Sequence, residues 1–118
     1  MKTVYIAHPI AGDIDLNIFK VQVLMKTILR THPEIVPVAP YLVSLQLLDE
    51  SRPGDREIGL RQNKPYFMRK FIDELWICGH QSPGVRLEME WATAAGIPAI
   101  DKTEWAAEIL GEKPEEQC

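Results

Sequence analysis

The chain has 118 residues, with 17 acidic against 13 basic side chains for a formal charge of −4, and 46% of its positions are apolar. That length and apolar content suit one globular domain over residues 1–118 and exclude disorder as the main state. Mild acidity without a Lys/Arg cluster argues against a nucleic-acid polymer as partner, and no apolar run approaches the roughly 20 residues of a membrane span.

Thr3–Ala7 is a β-branched and aromatic run that stops at His8-Pro9, which predicts a buried strand running into a turn. From Ile14 to Arg30 the residues Ile14, Ile18, Val21, Met25 and Ile28 recur at helical steps, with Asp13 as N-cap and His32-Pro33 as the stop. Glu34–Val38 predicts a second strand closed by Pro40, and Tyr41–Glu50 a second helix before the breaker segment Ser51–Asp55. Arg56–Ile72 carries a helical stripe that Pro65 should break near Lys64. Glu74–Cys78 predicts a third strand, and a turn over Gly79–Gly84 leads into a helix over Pro83–Ala95 that stops at Gly96. A strand over Ile97–Ile100 and a helix over Thr103–Leu110 follow, and the polar tail 111–118 should fray. Strands alternating with helices specify an α/β fold: a mainly parallel sheet of four to five strands with helices on both faces.

The opening residues read as a strand rather than a signal peptide, which points to a soluble, cytoplasmic protein. Cys78 and Cys118 form neither a disulfide framework nor a zinc spacing, so free thiols are expected. The three histidines form no metal ligand set by spacing, and nothing calls for a cofactor.

Ligands of open parallel sheets bind outside the carboxyl ends of the strands, which directs attention to His8–Asp13, Ala39–Tyr41 and Gly79–Gly84. Gly12 supplies either a turn dihedral or room for an anion at the following helix N-terminus. Ser82 is placed to cap the fourth helix, to bind an anion, or both, with Gly84 leaving space beside it. At about 100° per residue, with Val85 at zero, Met89 falls at about 40°, Ala92 at about 340° and Glu88 at about 300°, so Glu88 flanks the stripe that faces the sheet. A carboxylate there is costly to desolvate, so it is either paired structurally or used. Leu87, Trp91 and Ala94 form a second apolar flank, which predicts a homo-oligomer interface. His8, at the end of strand one, can touch a ligand, and the charged stretch from Asp55 to Arg61 is either a solvated helix start or a polar pocket wall.

Val4-Tyr5-Ile6-Ala7-His8-Pro9-Ile10-Ala11-Gly12, Asp73-Glu74-Leu75-Trp76-Ile77-Cys78-Gly79, Ser82-Pro83-Gly84-Val85-Arg86-Leu87-Glu88 and Gly96-Ile97-Pro98 together resemble the nucleoside 2-deoxyribosyltransferase superfamily, most closely its small bacterial and phage members. The resemblance covers residues 2 to about 100. It implies a flavodoxin-like, Rossmann-like three-layer sandwich, homo-oligomers, and cleavage or exchange at the N-glycosidic bond of a nucleoside or nucleoside 5′-monophosphate. It implies Glu88 as the nucleophile, Ser82 and Gly84 near a 5′-phosphate, and Tyr5, Pro9, Ile10 and Gly12 around the sugar and phosphate. Arg61-Gln62-Asn63 departs from the superfamily pattern: Asn63 stands where an Asp often handles the nucleobase and its proton, and an amide holds a base but delivers no proton. His8, Asp73 and a water held by Asn63 are then the candidate acids, with Asp73 placed at the far edge of the sheet. A non-catalytic nucleotide-binding module is the alternative that Asn63 favours.

Overall fold

The computed structural model describes residues 1–49 and 51–112. Its elements are β1 (Lys2–Ala7), α1 (Ile14–Thr31), β2 (Ile35–Val38), α2 (Tyr41–Leu47), α3 (Asp55–Met68), β3 (Glu74–Ile77), α4 (Pro83–Ala95), β4 (Ala99–Asp101) and α5 (Thr103–Leu110). The four strands pair in the order β2-β1-β3-β4, all parallel, with Tyr5 level with Val38 on one side and Leu75 on the other. This is the parallel α/β sheet with helices on both faces that the alternation of elements predicts, with four strands, and the flavodoxin-like three-layer sandwich that the resemblance implies.

A central parallel strand is covered on both faces, and Val4, Tyr5, Ile6 and Ala7 are all fully buried, as their unbroken apolar run requires. From β1 the chain moves outward to β2, then crosses back to β3 on the other side of β1. Right-handed crossovers in opposite directions place their helices on opposite faces: α1 packs with α5, and α3 packs with both α2 and α4. The loops leaving β1 and β3 therefore diverge, and a crevice opens at the carboxyl ends of these two strands.

Three local features differ from expectation. The α3 helix runs through Pro65 to Met68 instead of breaking at Lys64. Proline here removes only the bond to the Arg61 carbonyl, on an exposed face where water can take it, while buried Phe67 anchors the last turn. The helix then closes on left-handed Lys70 (φ 56°): the Lys70 amide donates to Phe67 O at 3.0 Å, the Phe71 amide donates to Tyr66 O at 3.1 Å, and the Tyr66 and Phe71 rings meet at 6.3 Å. Strand β4 starts at Ala99 rather than Ile97, because the Ile97 amide is spent on Ala92 O in the cap around left-handed Gly96 and Pro98 has no amide to donate. Helix α2 ends at Leu47, short of the expected Glu50, which lies outside the described residues.

Fraying does not begin at Gly111: Glu112 is half-buried and its carboxylate pairs with Lys20 Nζ at 2.5 Å. Residues 113–118, where the rest of that expectation falls, lie outside the described residues. The apolar flank of α4 is partly covered within the chain, since Trp91 packs on Phe67 of α3 with ring centroids 5.8 Å apart and Leu87 is half-buried. Among the described residues no helix is long and apolar enough to cross a membrane.

Candidate functional site

A cavity of about 270 Å³ opens at the carboxyl edge of the sheet. Its floor and one wall come from the turn after β1, with His8, Ile10, Ala11 and Gly12. Tyr41, Ser44 and Leu45 of α2 and Arg56, Gly59, Leu60 and Asn63 of α3 form the second wall, and the start of α4, from Ser82 to Val85 with Glu88, forms the third. The turn after β1 is held by α1, whose Asn17 side chain donates to the carbonyls of Ile10 at 2.9 Å and Ala11 at 3.3 Å. Gly12 sits at φ 99°, a conformation that side chains with a Cβ rarely adopt.

Glu88 lies one and a half turns into α4, on the side that the helical wheel assigns to the sheet, and only 6% of it is exposed. The Tyr5 hydroxyl, from the middle of the central strand, donates a short hydrogen bond to Glu88 Oε2. Burial pushes the Glu88 carboxyl up to about 8, and the Tyr5 bond offsets part of that rise. Among the described residues the ion pairs are Lys2–Glu74 and Lys20–Glu112, so no cation compensates Glu88. The structural alternative for this residue, a salt bridge with a neighbouring Arg or Lys, is thereby absent from the described residues. Tyr5 is itself fully buried and boxed by the rings of Phe67 at 4.8 Å and Tyr41 at 6.0 Å, and burial together with the neighbouring Glu88 holds its hydroxyl well above the usual tyrosine range.

His8 is 7% exposed, and its Nδ1 lies 2.7 Å from the Pro9 carbonyl. A carbonyl only accepts, so Nδ1 carries the proton and Nε2 of the neutral ring is a bare acceptor. Burial holds His8 below the usual histidine range, with Lys20 and His80 acting in the same direction. The expected acid is therefore an acceptor at neutral pH. Asn63 is 2% exposed, and its Oδ1 has no hydrogen-bond partner among the described residues. An unpaired buried amide oxygen costs about 1–3 kcal/mol, so this residue is not there for stability.

Ser82 caps α4, its Oγ accepting from the Val85 amide at 3.3 Å, and Pro83 occupies the first turn. A Cβ built on Gly84 would meet nothing closer than Ser82 Oγ at 4.0 Å, so there is open space beside this residue in the first turn of α4. Glu88, Asn63, His8, Ile10, Gly12, Ser82 and Gly84 thus converge on one cavity. Three predicted binding residues do not line it. Tyr5 stands behind Glu88, and Pro9 is buried with its carbonyl on His8. Arg61 is exposed, because two residues along a helix turn it about 200° from Asn63, whereas seven residues return Arg56 to within about 20°. The spacing Arg56, Gly59, Leu60, Asn63, and likewise Tyr41, Ser44, Leu45, carries that signal in the sequence.

Asp73 accepts the Thr3 amide at 2.8 Å at the amino edge of the sheet, far from the cavity, as its place before β3 predicts. Cys78 is buried, and burial pushes its thiol up to about 12, which removes it as a nucleophile at neutral pH. Among the described residues no three His, Cys, Asp or Glu side chains are grouped to hold a metal ion. A family described as a domain of unknown function, DUF7768, matches residues 2–102, and the chain belongs to it. No curated protein matches the chain, and no solved structure does.

Proposed function

We propose that this member of the DUF7768 family takes a nucleoside or nucleoside 5′-monophosphate into the cavity and cleaves or exchanges its N-glycosidic bond through Glu88. The observation that carries this reading is a buried carboxyl group, unpaired with any cation among the described residues, at the wall of a small cavity where parallel sheets bind their ligands. The resemblance of the strand-one and Ser82–Glu88 motifs to nucleoside 2-deoxyribosyltransferases supplies the substrate class. The cavity, at about 270 Å³, suits a small ligand rather than a polymer.

In the first step the ionised carboxylate attacks the anomeric carbon, the bond to the base breaks through an oxocarbenium-like state, and the electron pair leaves with the base. Tyr5 fixes the carboxyl group through Oε2. In the second step water, or the nitrogen of a second base, attacks the glycosyl ester and releases Glu88. The bare nitrogen of His8 is suited to take the water proton. A 5′-phosphate would meet the Gly84 amide at the positive end of α4 and the Arg56 guanidinium. The protein would work in the cytoplasm, where a thiol such as Cys78 stays reduced.

The test is release of free base from a panel of nucleosides and 5′-monophosphates. Wild type should release base from at least one, and Glu88→Gln, folded by circular dichroism, from none; no release by wild type overturns the reading. A non-catalytic nucleotide-binding module is the second reading, favoured by Asn63, whose amide binds a base without protonating it. Tight nucleotide binding by calorimetry with no turnover selects it.

A further inference from the structure

Breaking an N-glycosidic bond leaves an electron pair on the base, and a neutral base normally needs a proton there as it departs. The groups that line the cavity can be taken one at a time as donors of that proton. His8 has its one N–H committed to the Pro9 carbonyl and presents an acceptor. The Tyr41 hydroxyl donates to the Ile6 carbonyl at 2.5 Å inside the core, and burial holds it well above the usual tyrosine range. Ser82 Oγ accepts from the Val85 amide, and the hydroxyls of Ser82 and Ser44 are too weak as acids for the task. The guanidinium of Arg56 holds its charge rather than delivering a proton, and the Asn63 amide has no acidic proton to give. That leaves Glu88, and one carboxyl group cannot be nucleophile and proton donor in the same step.

We infer that the preferred substrate is an N-glycoside whose base is already a cation, with positive charge shared on to the glycosidic nitrogen, as in a pyridinium or N7-alkylated purine nucleoside. This rests on the reading of Glu88 as nucleophile. The balance then closes without an acid: a Glu88 oxygen bonds to the anomeric carbon, the C–N pair passes to the ring nitrogen, its positive charge is cancelled, and a neutral base leaves. The same charge answers the second feature of the site. A carboxyl group that burial keeps from ionising, with no cation beside it among the described residues, gains one when the substrate enters, so binding itself favours the reactive carboxylate. The apolar walls of Ile10, Leu45 and Leu60 suit a flat ring whose charge is delocalised.

The experiment compares matched pairs: guanosine and 2′-deoxyguanosine, each with and without an N7-methyl group and each also as the 5′-monophosphate, and, as the pyridinium arm, nicotinamide riboside and its 5′-phosphate against their neutral 1,4-dihydro forms. Base release by the full chain is followed by chromatography, with the enzyme-free rate subtracted and Glu88→Gln as control. The expected result is Glu88-dependent release from at least one cationic substrate that exceeds its neutral counterpart by about a hundredfold or more, the lower end of what a positioned acid supplies. Release from the purine arm or the pyridinium arm alone identifies which cation is used. Neutral substrates cleaved within a hundredfold of the cationic ones would overturn this inference and leave Glu88 as nucleophile intact. No Glu88-dependent release from either class overturns both.

Discussion

At the amino edge of the sheet Asp73 takes the Thr3 amide, and Glu74 divides its oxygens between Lys2 Nζ at 2.8 Å and the Trp76 indole at 2.9 Å. At the carboxyl edge Glu88 is buried with one tyrosine hydroxyl and, among the described residues, no cation. Hydrogen bonds from Lys2 and Trp76 hold Glu74 below the usual carboxylate range, whereas burial drives Glu88 above it. The two shifts act on folding with opposite sign: Glu74 stabilises the fold when ionised, and Glu88 opposes it when ionised. The same residue type thus serves the fold at one edge, and at the other is kept at the fold's expense.

The sharpest break in that contrast is Glu88→Gln, which keeps the shape and removes the charge. Base release should fall by at least about 10³-fold, measured by chromatography at saturating substrate. Stability should respond in the opposite direction. For wild type the folded-state pKa is raised from 4.5 to about 8, so the native state holds an extra proton between those values and stability falls as pH rises through that window. The Glu88 contribution to that loss is on the order of 4 kcal/mol by urea melts at pH 5 and pH 8.5, and Glu88→Gln should abolish the fall, leaving the rise with pH that the lowered His8 gives.

Asn63→Asp places a second carboxyl group in the cavity and should raise release of a neutral base relative to a cationic one by about tenfold or more, read from the ratio of the two rates. Tyr5→Phe removes the hydroxyl that partly lowers the Glu88 pKa, so the rising limb of the rate profile should move to higher pH, with a stability change of about 1 kcal/mol by denaturant melts. The smallest effect belongs to the other edge. Asp73→Ala should cost about 0.5–1 kcal/mol for the lost bond to the Thr3 amide and leave base release unchanged.

The placement of the elements was legible because each carries its own local marks. Asp13 and Ser82 cap helices, Gly96 ends one, and the unbroken run Val4–Ala7 marks a buried strand. Helical phase put Glu88 at the flank of the stripe that faces the sheet, and packing takes it deeper, to 6% exposed. What phase could not supply was its partner: Tyr5 lies 83 residues away and meets Glu88 only once β1 and α4 are packed. The covering of Trp91 by Phe67 is likewise a tertiary fact, and so is the choice of Arg56 over Arg61, which depends on the face that α3 turns inward. Pro65 does not break the helix because the one carbonyl it leaves without an amide, that of Arg61, lies on an exposed face near the helix end, whereas the carbonyls of the last turn are taken by the cap.

Cys78 follows directly after the third strand, beside the functional edge, yet its thiol is fully enclosed and its Sγ leans on the Trp76 carbonyl at 3.8 Å. A thiol that neither ionises nor meets solvent in the native state escapes alkylation until the sheet opens. With Cys118 replaced by Ser, the rate at which iodoacetamide labels Cys78 becomes a clock for global opening, and a bound ligand in the adjoining cavity should slow that clock in proportion to its occupancy.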